Sequence, residues 1–313
     1  MTTTTEQTRA APAHAEQART PASRAGVQPA LYTLTTACPD TTGIVAAIAG
    51  FLAANNATIS EAQHHNDPRT GMSFMRTVFR DDGHGLASAE ALDRLFAEQV
   101  GKKFRMQWRF QAVERRCRVV LAVSRQGHCL NSILHRWSTG TLPIEVVAVL
   151  SNHQDMRSLA EWHGVPYHYL PIIDGRKAEQ EARMAEVFAK ADAELLVLAR
   201  YMQILSADAC KHFDGRAINI HHSFLPGFKG AKAYHQAYER GVKLIGATAH
   251  YVTTDLDEGP IIEQEVARVD HTQSAEDLTV TGSELETVVL NRAIKWHAER
   301  RVFRNGKTTV VLR

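Results

Sequence analysis

The sequence predicts an α/β protein made of two different folded units. Residues 30–112 alternate strand and helix patterns in the order strand–helix–strand–strand–helix–strand, which suits a small α+β sandwich. From Cys117 onward, near-continuous apolar runs alternate with helical segments, which is typical of a mainly parallel sheet covered by helices on both faces. We predict that residues 113–116 form a linker and that the second unit comprises residues 117–313.

The first 29 residues differ from the rest of the chain. They are rich in Thr, Ala, Pro and Gln and almost free of large apolar side chains. Such a segment cannot bury enough apolar surface to offset the entropy lost on ordering, so we expect residues 1–29 to be a disordered tail. The segment lacks the apolar region of a secretory signal, which favours a cytoplasmic location. Arg9, Arg19 and Arg24, among Ser and Thr, leave a transit peptide as the alternative.

The elements of the first unit follow from residue periodicity. A strand is predicted where Tyr32, Leu34 and Thr36 alternate with their neighbours. A helix is predicted from the helical spacing of Ile44, Ile48, Phe51 and Leu52. Two further strands joined by a turn at 68–71, an amphipathic helix over 87–100 and a closing strand over 103–110 complete the predicted unit.

The buried strands of the second unit are predicted from four apolar runs, which are 117–124, 144–151, 193–199 and 216–220. Helices are expected between them, around 130–137, 154–162 and 178–190. In such sheets, ligands bind outside the carboxyl ends of the strands. The polar run "NIHHS", residues 219–223, therefore lies where a site is expected.

Two residues of this run are predicted to act together. Residues two apart on a strand share a face, so Asn219 and His221 should point to the same side. A carboxamide and an imidazole aimed at one point can stabilise a developing oxyanion. A general base is still required, and the run 247–264 offers several candidates. They are His250, Asp255, Asp257 and Glu258.

Composition argues against several other functions. The net charge is +2, from 36 basic and 34 acidic residues, which gives no electrostatic support for a nucleic-acid or anionic-membrane partner. No apolar stretch approaches the length of a membrane span. The four cysteines are far apart and read as reduced thiols. The 16 histidines include no HExxH motif, and adjacent histidines on a strand diverge, so we expect no metal.

The N-terminal unit resembles the ACT domain, a regulatory module that often binds amino acids. The resemblance lies in "CPDTTGIVAAIAGFLAANNATI", residues 38–59, and in the order of the elements. It implies an effector site at Asp40, Gly43 and Ile44, with glycine or methionine as the effector, and a homo-oligomer, since ACT domains commonly pair. The alternative is that Gly43 only closes a tight turn and that the domain only oligomerises.

The second unit resembles the folate-dependent formyltransferases and, most closely among them, the formyltetrahydrofolate deformylases. The resemblance is carried by residues 201–264, from "YMQIL" to "DLDEGPIIEQ". It implies a Rossmann-like formyltransferase domain with a mainly parallel sheet. It places catalytic roles on Asn219, His221 and Asp257, with His250 beside them. It places folate contacts on Tyr201, Met202, Gln203, Ile204 and Leu205.

The loop after the first strand of the second unit distinguishes members of this group. Ribonucleotide formyltransferases carry a Gly-rich phosphate loop there, whose bare N–H groups approach the phosphate. This chain has Gly127 followed by His128, Cys129 and Leu130, which resembles the deformylases and implies that water is the formyl acceptor. The chain departs from the deformylase pattern at Lys232-Ala233, where Asn-Pro is usual.

The resemblance implies hydrolysis of 10-formyltetrahydrofolate to formate and tetrahydrofolate, with no permanently bound cofactor. That activity would supply formate for purine synthesis and balance one-carbon folate pools, under control of the ACT domain. Two alternatives remain. One is a 10-formyltetrahydrofolate-dependent formyltransferase acting on an amine, and the other is a non-catalytic folate or amino-acid sensor.

Overall fold

The computed structural model describes most of the chain after the N-terminal segment. The described residues are 1, 30–81, 85–86, 88–227 and 233–313. The predicted tail, Met1 apart, and Lys232 therefore lie outside the described residues. Within the described part of the chain, no helix is both long and apolar enough to cross a membrane.

The N-terminal domain is a four-stranded antiparallel sheet with two helices on one face, and the sheet order is β2-β3-β1-β4. The elements are β1 (Leu31–Pro39), α1 (Ile44–Ala54), β2 (Ala57–Asp67), β3 (Met72–Asp81), α2 (Ala89–Phe96) and β4 (Gln107–Ala112). This arrangement confirms the predicted α+β sandwich and its order of elements. The predicted helical face is also confirmed, because all four of its apolar residues are at most 4% exposed.

The closing strand of this domain begins later than predicted. A π-helical turn, Ala97–Gly101, continues α2, and Arg105 has a φ of +52° before β4 starts at Gln107. The prediction that the strand starts at residue 103 was therefore wrong. Val100 is buried in the domain core, and Phe104 N donates to Val100 O (3.2 Å), so the chain coils for an extra turn before it extends.

The C-terminal domain contains a seven-stranded sheet in the order β11-β10-β9-β8-β5-β6-β7. Its strands are β5 (Cys117–Val123), β6 (Ile144–Ser151), β7 (Tyr167–Tyr169), β8 (Leu195–Leu198), β9 (Ala217–His221), β10 (Leu244–Tyr251) and β11 (Ile261–Arg268). Its helices are α3 (His128–Ser138), α4 (Arg157–Trp162), α5 (Lys177–Lys190), α6 (Ala207–His212), α7 (Ala233–Glu239) and α8 (Ala275–Ala298). The five strands from β9 to β7 in this order are parallel, whereas β10 and β11 are antiparallel to their neighbours.

Both faces of this sheet are buried, as the continuous apolar runs predicted. Val119 and Leu121 of β5 face a core that includes α3 and α8, whereas Val120 and Ala122 face a core that includes α5 and α6. All four side chains have 0% exposure. Burial on two faces leaves the strand ends as the places where polar groups can gather.

A C-terminal hairpin joins the two domains. It consists of β12 (Val302–Asn305) and β13 (Thr308–Val311), which the sequence patterns did not reveal. The ring of Phe303 lies 5.5 Å from that of Phe74 in β3, and Asn305 Nδ2 donates to Asp67 Oδ2 (2.6 Å). The hairpin therefore packs against the face of the N-terminal sheet that the two helices leave free.

Candidate active site

The candidate catalytic residues lie where β9 and β10 pair. His250 on β10 is the antiparallel partner of Asn219 on β9, and His221 ends β9. The loop after β10 then returns over this edge and brings Asp257 to the same place. Strand pairing thus joins two sequence runs that are separated by about 30 residues in the chain.

The polar groups of these residues are within reach of one another. His221 Nδ1 lies 3.3 Å from Asp257 Oδ1, and His250 Nε2 lies 3.8 Å from the same oxygen. Asn219 Nδ2 lies 3.3 Å from His250 Nε2. The side chains of His221, His250 and Asp257 are only 4–6% exposed. These distances bring Asn219, His221, His250 and Asp257 into one cluster, in which Asp257 contacts both histidines.

The protonation of His250 follows from its partners. Its Nδ1 lies 2.9 Å from Tyr251 O, a carbonyl that can only accept, so Nδ1 carries the proton. Burial lowers the pKa of His250, which keeps the ring neutral. Nε2 is then an acceptor and receives a hydrogen bond from Asn219 Nδ2. This contact fixes the orientation of the Asn219 carboxamide, with its NH2 group toward His250.

The backbone of the Asp257 loop is held in an unusual conformation. Asp257 has a φ of +57°, in the left-handed region that non-glycine residues seldom occupy. Two residues later, a Cβ on Gly259 would lie 1.7 Å from Tyr251 O. Because this contact is with backbone, only glycine allows the loop to close onto β10. The close approach places the carboxylate against the two histidines.

A cavity of about 270 Å³ opens beside these groups. Its lining includes the four candidate catalytic residues, Asn219, His221, His250 and Asp257. It also includes the predicted folate-contact residues, Tyr201, Met202, Gln203, Ile204 and Leu205. All nine residues therefore meet in one place. Met202 and Ile204 are 50% and 62% exposed, which leaves apolar surface for a flat ring system to cover.

Residues 201–205, which are predicted to contact folate, are anchored by hydrogen bonds to the rest of the domain. Tyr201 is buried, and its hydroxyl accepts a hydrogen bond from Gln180 Nε2 (2.5 Å). Met202 N donates to Ser124 Oγ (3.0 Å), and Ser206 N donates to Glu181 Oε1 (2.8 Å). These contacts fix both ends of the segment, while the side chains between them point to the cavity or to solvent.

Among the residues of the cavity wall, sequence reasoning missed Arg200, and it left His222 open between a site wall and a packed residue. Arg200 is the second residue after β8, so the rule that sites form at strand ends could have identified it. Burial, followed by the positive charge of Arg200, lowers the pKa of His222 to about 4, and the ring is therefore neutral near pH 7. His222 forms part of the cavity wall, and it also contacts the ring of Tyr234 on α7 (5.9 Å).

The residues predicted to form a loop near the site are helical instead. His128, Cys129 and Leu130 make the first turn of α3, and none of them lines the cavity. Cys129 and Leu130 have 0% exposure, and burial raises the pKa of the Cys129 thiol. The prediction of a loop was wrong because apolar residues at 129, 130, 133 and 134 anchor the helix from its first turn.

His128 belongs to a buried polar network centred on Glu286. Glu286 Oε2 lies 2.8 Å from His128 Nε2 and 3.4 Å from Arg200 Nε, and Oε1 accepts from the Tyr234 hydroxyl (2.9 Å). Arg200 also donates to Gln126 Oε1 (2.8 Å). Burial opposes ionisation of Glu286, but the His128 hydrogen bond and the Arg200 charge outweigh burial and lower its pKa.

A group of side chains with the spacing of metal ligands lies in the same region, among the residues that the structure describes. His128, Cys129 and Glu286 place their ligand atoms within 4.8 Å of one another. However, both Glu286 oxygens already accept hydrogen bonds, and the Arg200 guanidinium lies beside them. A cation there would meet an existing positive charge, so the cluster is better described as a closed ion-pair network.

The predicted effector turn lies at the start of α1. Gly43 has a φ of +93°, which favours glycine, and no described atom lies within 4 Å of a Cβ placed there. Asp40 is exposed and its N–H donates to Gly71 O (2.8 Å). Ile44 is 3% exposed and packs in the domain core, so it faces the core rather than the surface of the turn.

Comparison with protein families gives a match over the C-terminal domain. Residues 117–294 match the family described as formyl transferase, which is more than half of the chain. A formyltetrahydrofolate deformylase from Corynebacterium sp. (strain P-1) is 48% identical over 284 residues, which is 90% of this chain and 98% of that protein. The chain belongs to the formyltetrahydrofolate deformylase family. Both resemblances of the C-terminal domain stated from the sequence are thereby confirmed.

Solved structures agree with this assignment. The formyltetrahydrofolate deformylase from Burkholderia mallei has a TM-score of 0.86 and 49% identity, covering 91% of this chain and all of that chain. Glycinamide ribonucleotide transformylase 1 from Symbiobacterium toebii has a TM-score of 0.61 and 32% identity, covering 65% of this chain and 97% of that chain. The deformylase family thus extends over both domains of this chain, whereas the transformylase accounts for about two thirds of it.

Proposed function

We propose that this protein hydrolyses 10-formyltetrahydrofolate to formate and tetrahydrofolate. The observation that carries the proposal is the single cavity that joins Asp257, His221 and Asn219 to the segment 201–205. The lining of this cavity combines these polar groups with the exposed apolar side chains of Met202 and Ile204. A folate ring can therefore lie on the segment while its N10-formyl group reaches the polar side.

In the proposed reaction, water attacks the formyl carbon and Asp257 accepts the proton that it loses. A carboxylate positioned in this way contributes about 10²–10⁴ in rate. The formyl oxygen becomes an oxyanion, which His221 and Asn219 stabilise by about 10²–10³. The bond from the formyl carbon to N10 then breaks, and the proton held by Asp257 passes to N10. His250 positions Asn219 and touches no reacting atom in this scheme.

Water is favoured as the acceptor over an amine on a phosphorylated substrate. The turn after β5 has a single glycine, Gly127, and the Met156 side chain packs against it, with Sδ 2.3 Å from the position that a Cβ would take. The first residue of α3, His128, is paired with the Glu286 carboxylate. A second anion at this helix N-terminus would be repelled by Glu286. These contacts support a hydrolase over the formyltransferase alternative.

We further propose the cellular role that such an activity supports. The enzyme acts in the cytoplasm, supplies formate for purine synthesis and balances the pools of one-carbon folates. It carries no permanently bound cofactor and no metal. The N-terminal domain mediates homo-oligomerisation and responds to an amino acid, glycine or methionine, at the turn containing Asp40 and Gly43. The exposure of Asp40 and the open space at Gly43 support a ligand contact there.

The proposal is tested by incubating the full chain with 10-formyltetrahydrofolate in the absence of any amine. We expect one formate and one tetrahydrofolate for each substrate molecule consumed, over many turnovers. Formyl transfer that requires glycinamide ribonucleotide or another added amine would identify a formyltransferase instead. Folate binding with no turnover under either condition would identify a sensor.

A further inference from the structure

A second cavity, of about 290 Å³, lies where the N-terminal sheet meets the C-terminal domain. Ala37 and Phe74 line it from the N-terminal sheet, together with Gln107 at the start of β4. Tyr251 and the arginines Arg300 and Arg304 line it from the C-terminal domain. The cavity is separate from the candidate active site, since none of these residues except Tyr251 adjoins the catalytic groups.

The surroundings of this cavity carry an excess of positive charge. Three guanidinium groups, those of Arg109, Arg115 and Arg300, share the single oxygen Oε2 of Glu194, at 3.4, 3.2 and 2.9 Å. One carboxylate therefore serves three cations. Burial, and then the neighbouring charge of Arg300, lowers the pKa of Arg109, as expected where cations repel one another.

A fourth guanidinium group, that of Arg304, also lies at the cavity wall. Its side chain is 41% exposed and Nη1 pairs with Asp214 Oδ2 at 2.9 Å. A Cβ on Gly215 would lie 2.7 Å from the same nitrogen, so the absence of a side chain at this position makes room for the guanidinium group. Of the cations at this junction, Arg304 is the one that combines a place in the cavity wall with substantial access to solvent.

Other residues that line the cavity are apolar. Phe74 from β3 and Phe303 from β12 contact each other across the domain junction, with ring centroids 5.5 Å apart. Ala37 and Val302 extend this surface. A ligand that contacts both the arginines and these apolar side chains must combine a negative charge with a short hydrocarbon part.

We propose that this interdomain cavity binds a small organic carboxylate. Its charged end pairs with Arg300 and Arg304, and its hydrocarbon part packs on Phe74 and Phe303. Guanidinium groups form charge-assisted hydrogen bonds with carboxylates, which gives the arginine side of the cavity its preference for this class of anion. Because residues from both domains line the cavity, its occupant also stabilises their present arrangement.

The cavity is coupled to the candidate active site through Tyr251. The Tyr251 hydroxyl lies 2.7 Å from His297 Nδ1, and both residues line the cavity. The backbone carbonyl of Tyr251 accepts a hydrogen bond from His250 Nδ1 and contacts the glycine that closes the Asp257 loop. A ligand that shifts Tyr251 therefore changes the orientation of His250 and the position of Asp257. We expect occupancy to change kcat more than the KM for folate.

Binding is tested on the full chain with butyrate, a short carboxylate, and with its uncharged isostere butyramide, by saturation-transfer NMR and titration. Butyrate has six heavy atoms and one charge to pair, so we expect a dissociation constant on the order of 1 mM, weaker than the limit for the best ligands of this size. Butyramide should bind at least about tenfold more weakly, since it cannot form the ion pair.

Two variants locate the site, with a matched control. Arg304→Gln should weaken butyrate binding by about tenfold or more. Arg157→Gln changes an arginine of similar exposure (39%), paired with Glu161 far from the cavity, and should bind butyrate as the unmodified protein does. Ala37→Leu fills the cavity from the N-terminal sheet and should abolish binding of both compounds. Thermal melting of each variant confirms that it is folded.

The outcomes separate this site from the candidate active site. Saturable butyrate binding that is lost in Arg304→Gln and persists in the presence of tetrahydrofolate supports the proposal. Displacement of butyrate by tetrahydrofolate would place it in the folate cavity and overturn the proposal. Equal affinity for butyrate and butyramide, or equal binding by Arg304→Gln and Arg157→Gln, would also overturn it. These binding measurements do not depend on whether the protein is a deformylase.

Discussion

The turns after β5 and β8 occupy equivalent positions in the sheet but differ in whether side chains close them. The two strands are parallel neighbours, and each ends at the edge where α/β proteins form sites. The turn after β5, residues 124–128, is closed by side chains, because Gly127 packs on Met156 and His128 pairs with Glu286. The turn after β8, residues 200–205, is open and lines the cavity of the candidate active site.

The difference shows that a strand end becomes a site only when its polar groups are left available to a ligand. In the closed turn, buried polar groups satisfy one another, so the turn contributes stability. Arg200 connects the two turns, since it begins the open turn and reaches Gln126 and Glu286 in the closed one. We therefore expect changes in the turn after β8, and in the catalytic groups that share its cavity, to affect kcat. Changes in the turn after β5 should affect the free energy of unfolding.

The largest effect is expected from Asp257→Asn on the open side. Loss of the proposed base should lower kcat by about 10²–10⁴, with folate binding retained. The melting temperature should not fall, because Asp257 is a buried charged residue with a backbone φ of +57°. Such a residue contributes to activity rather than to the stability of the core. Steady-state kinetics, folate titration and thermal melting measure the three quantities.

The neighbouring acid Asp255 provides the comparison for that result. Asp255 is exposed and also lines the cavity, so it competes with Asp257 for the role of base. Asp255→Asn should lower kcat by less than about tenfold. If Asp255→Asn were the more damaging of the two changes, the assignment of the base would be wrong.

On the closed side, Glu286→Gln should reduce stability. The amide cannot neutralise Arg200, which is 8% exposed, so we expect the free energy of unfolding to fall by about 2–3 kcal/mol. The kcat should change by less than about tenfold, because no catalytic group is removed. Denaturant unfolding and steady-state kinetics measure the two quantities. A thousandfold fall in the kcat of Glu286→Gln with an unchanged free energy of unfolding would contradict the structural role of the turn after β5.

The pH dependence of that loss has a defined sign. Glu286 has a folded pKa below its ordinary value of 4.5, so the native state binds fewer protons than the unfolded state as pH falls. Its contribution to stability is complete above the unfolded pKa and disappears as pH falls through the folded pKa. The difference between unmodified protein and Glu286→Gln should be constant over about pH 6–8 and shrink below about pH 4.5. A difference that grew on acidification would contradict the ionised state of Glu286.

The smallest effect is expected from Gly127→Ala. The added methyl group would lie 2.3 Å from Met156 Sδ, and a flexible thioether can move aside, so we expect a loss of about 1–2 kcal/mol in unfolding free energy. Gly50→Ala in α1 is the matched control, since nothing lies within 4 Å of its Cβ. It should stabilise the protein by about 0.5–1 kcal/mol through helix propensity. Equal effects of the two changes would show that the turn after β5 is not tightly packed.

The sequence by itself determined the features that repeat over short distances. The alternation over residues 31–39, the apolar face of α1 and the doubly buried β5 are local patterns with periods of two or 3.6 residues, and each was found where it was predicted. The shared face of Asn219 and His221 follows from the same strand geometry. The choice of Asp257 among the acids of its loop came from the family resemblance, because spacing alone does not distinguish neighbouring acids.

Only the tertiary structure decided the contacts between distant parts of the chain. His128 and Glu286 are 158 positions apart, and Asn305 and Asp67 are 238 positions apart, so no local period signals either pair. The bounds of α8 were not predicted, because the helix packs against α3, α7 and several strands. This packing buries residues around much of its circumference and weakens its amphipathic pattern. The interdomain cavity depends on both sheets at once, so it exists only after the two domains have packed together.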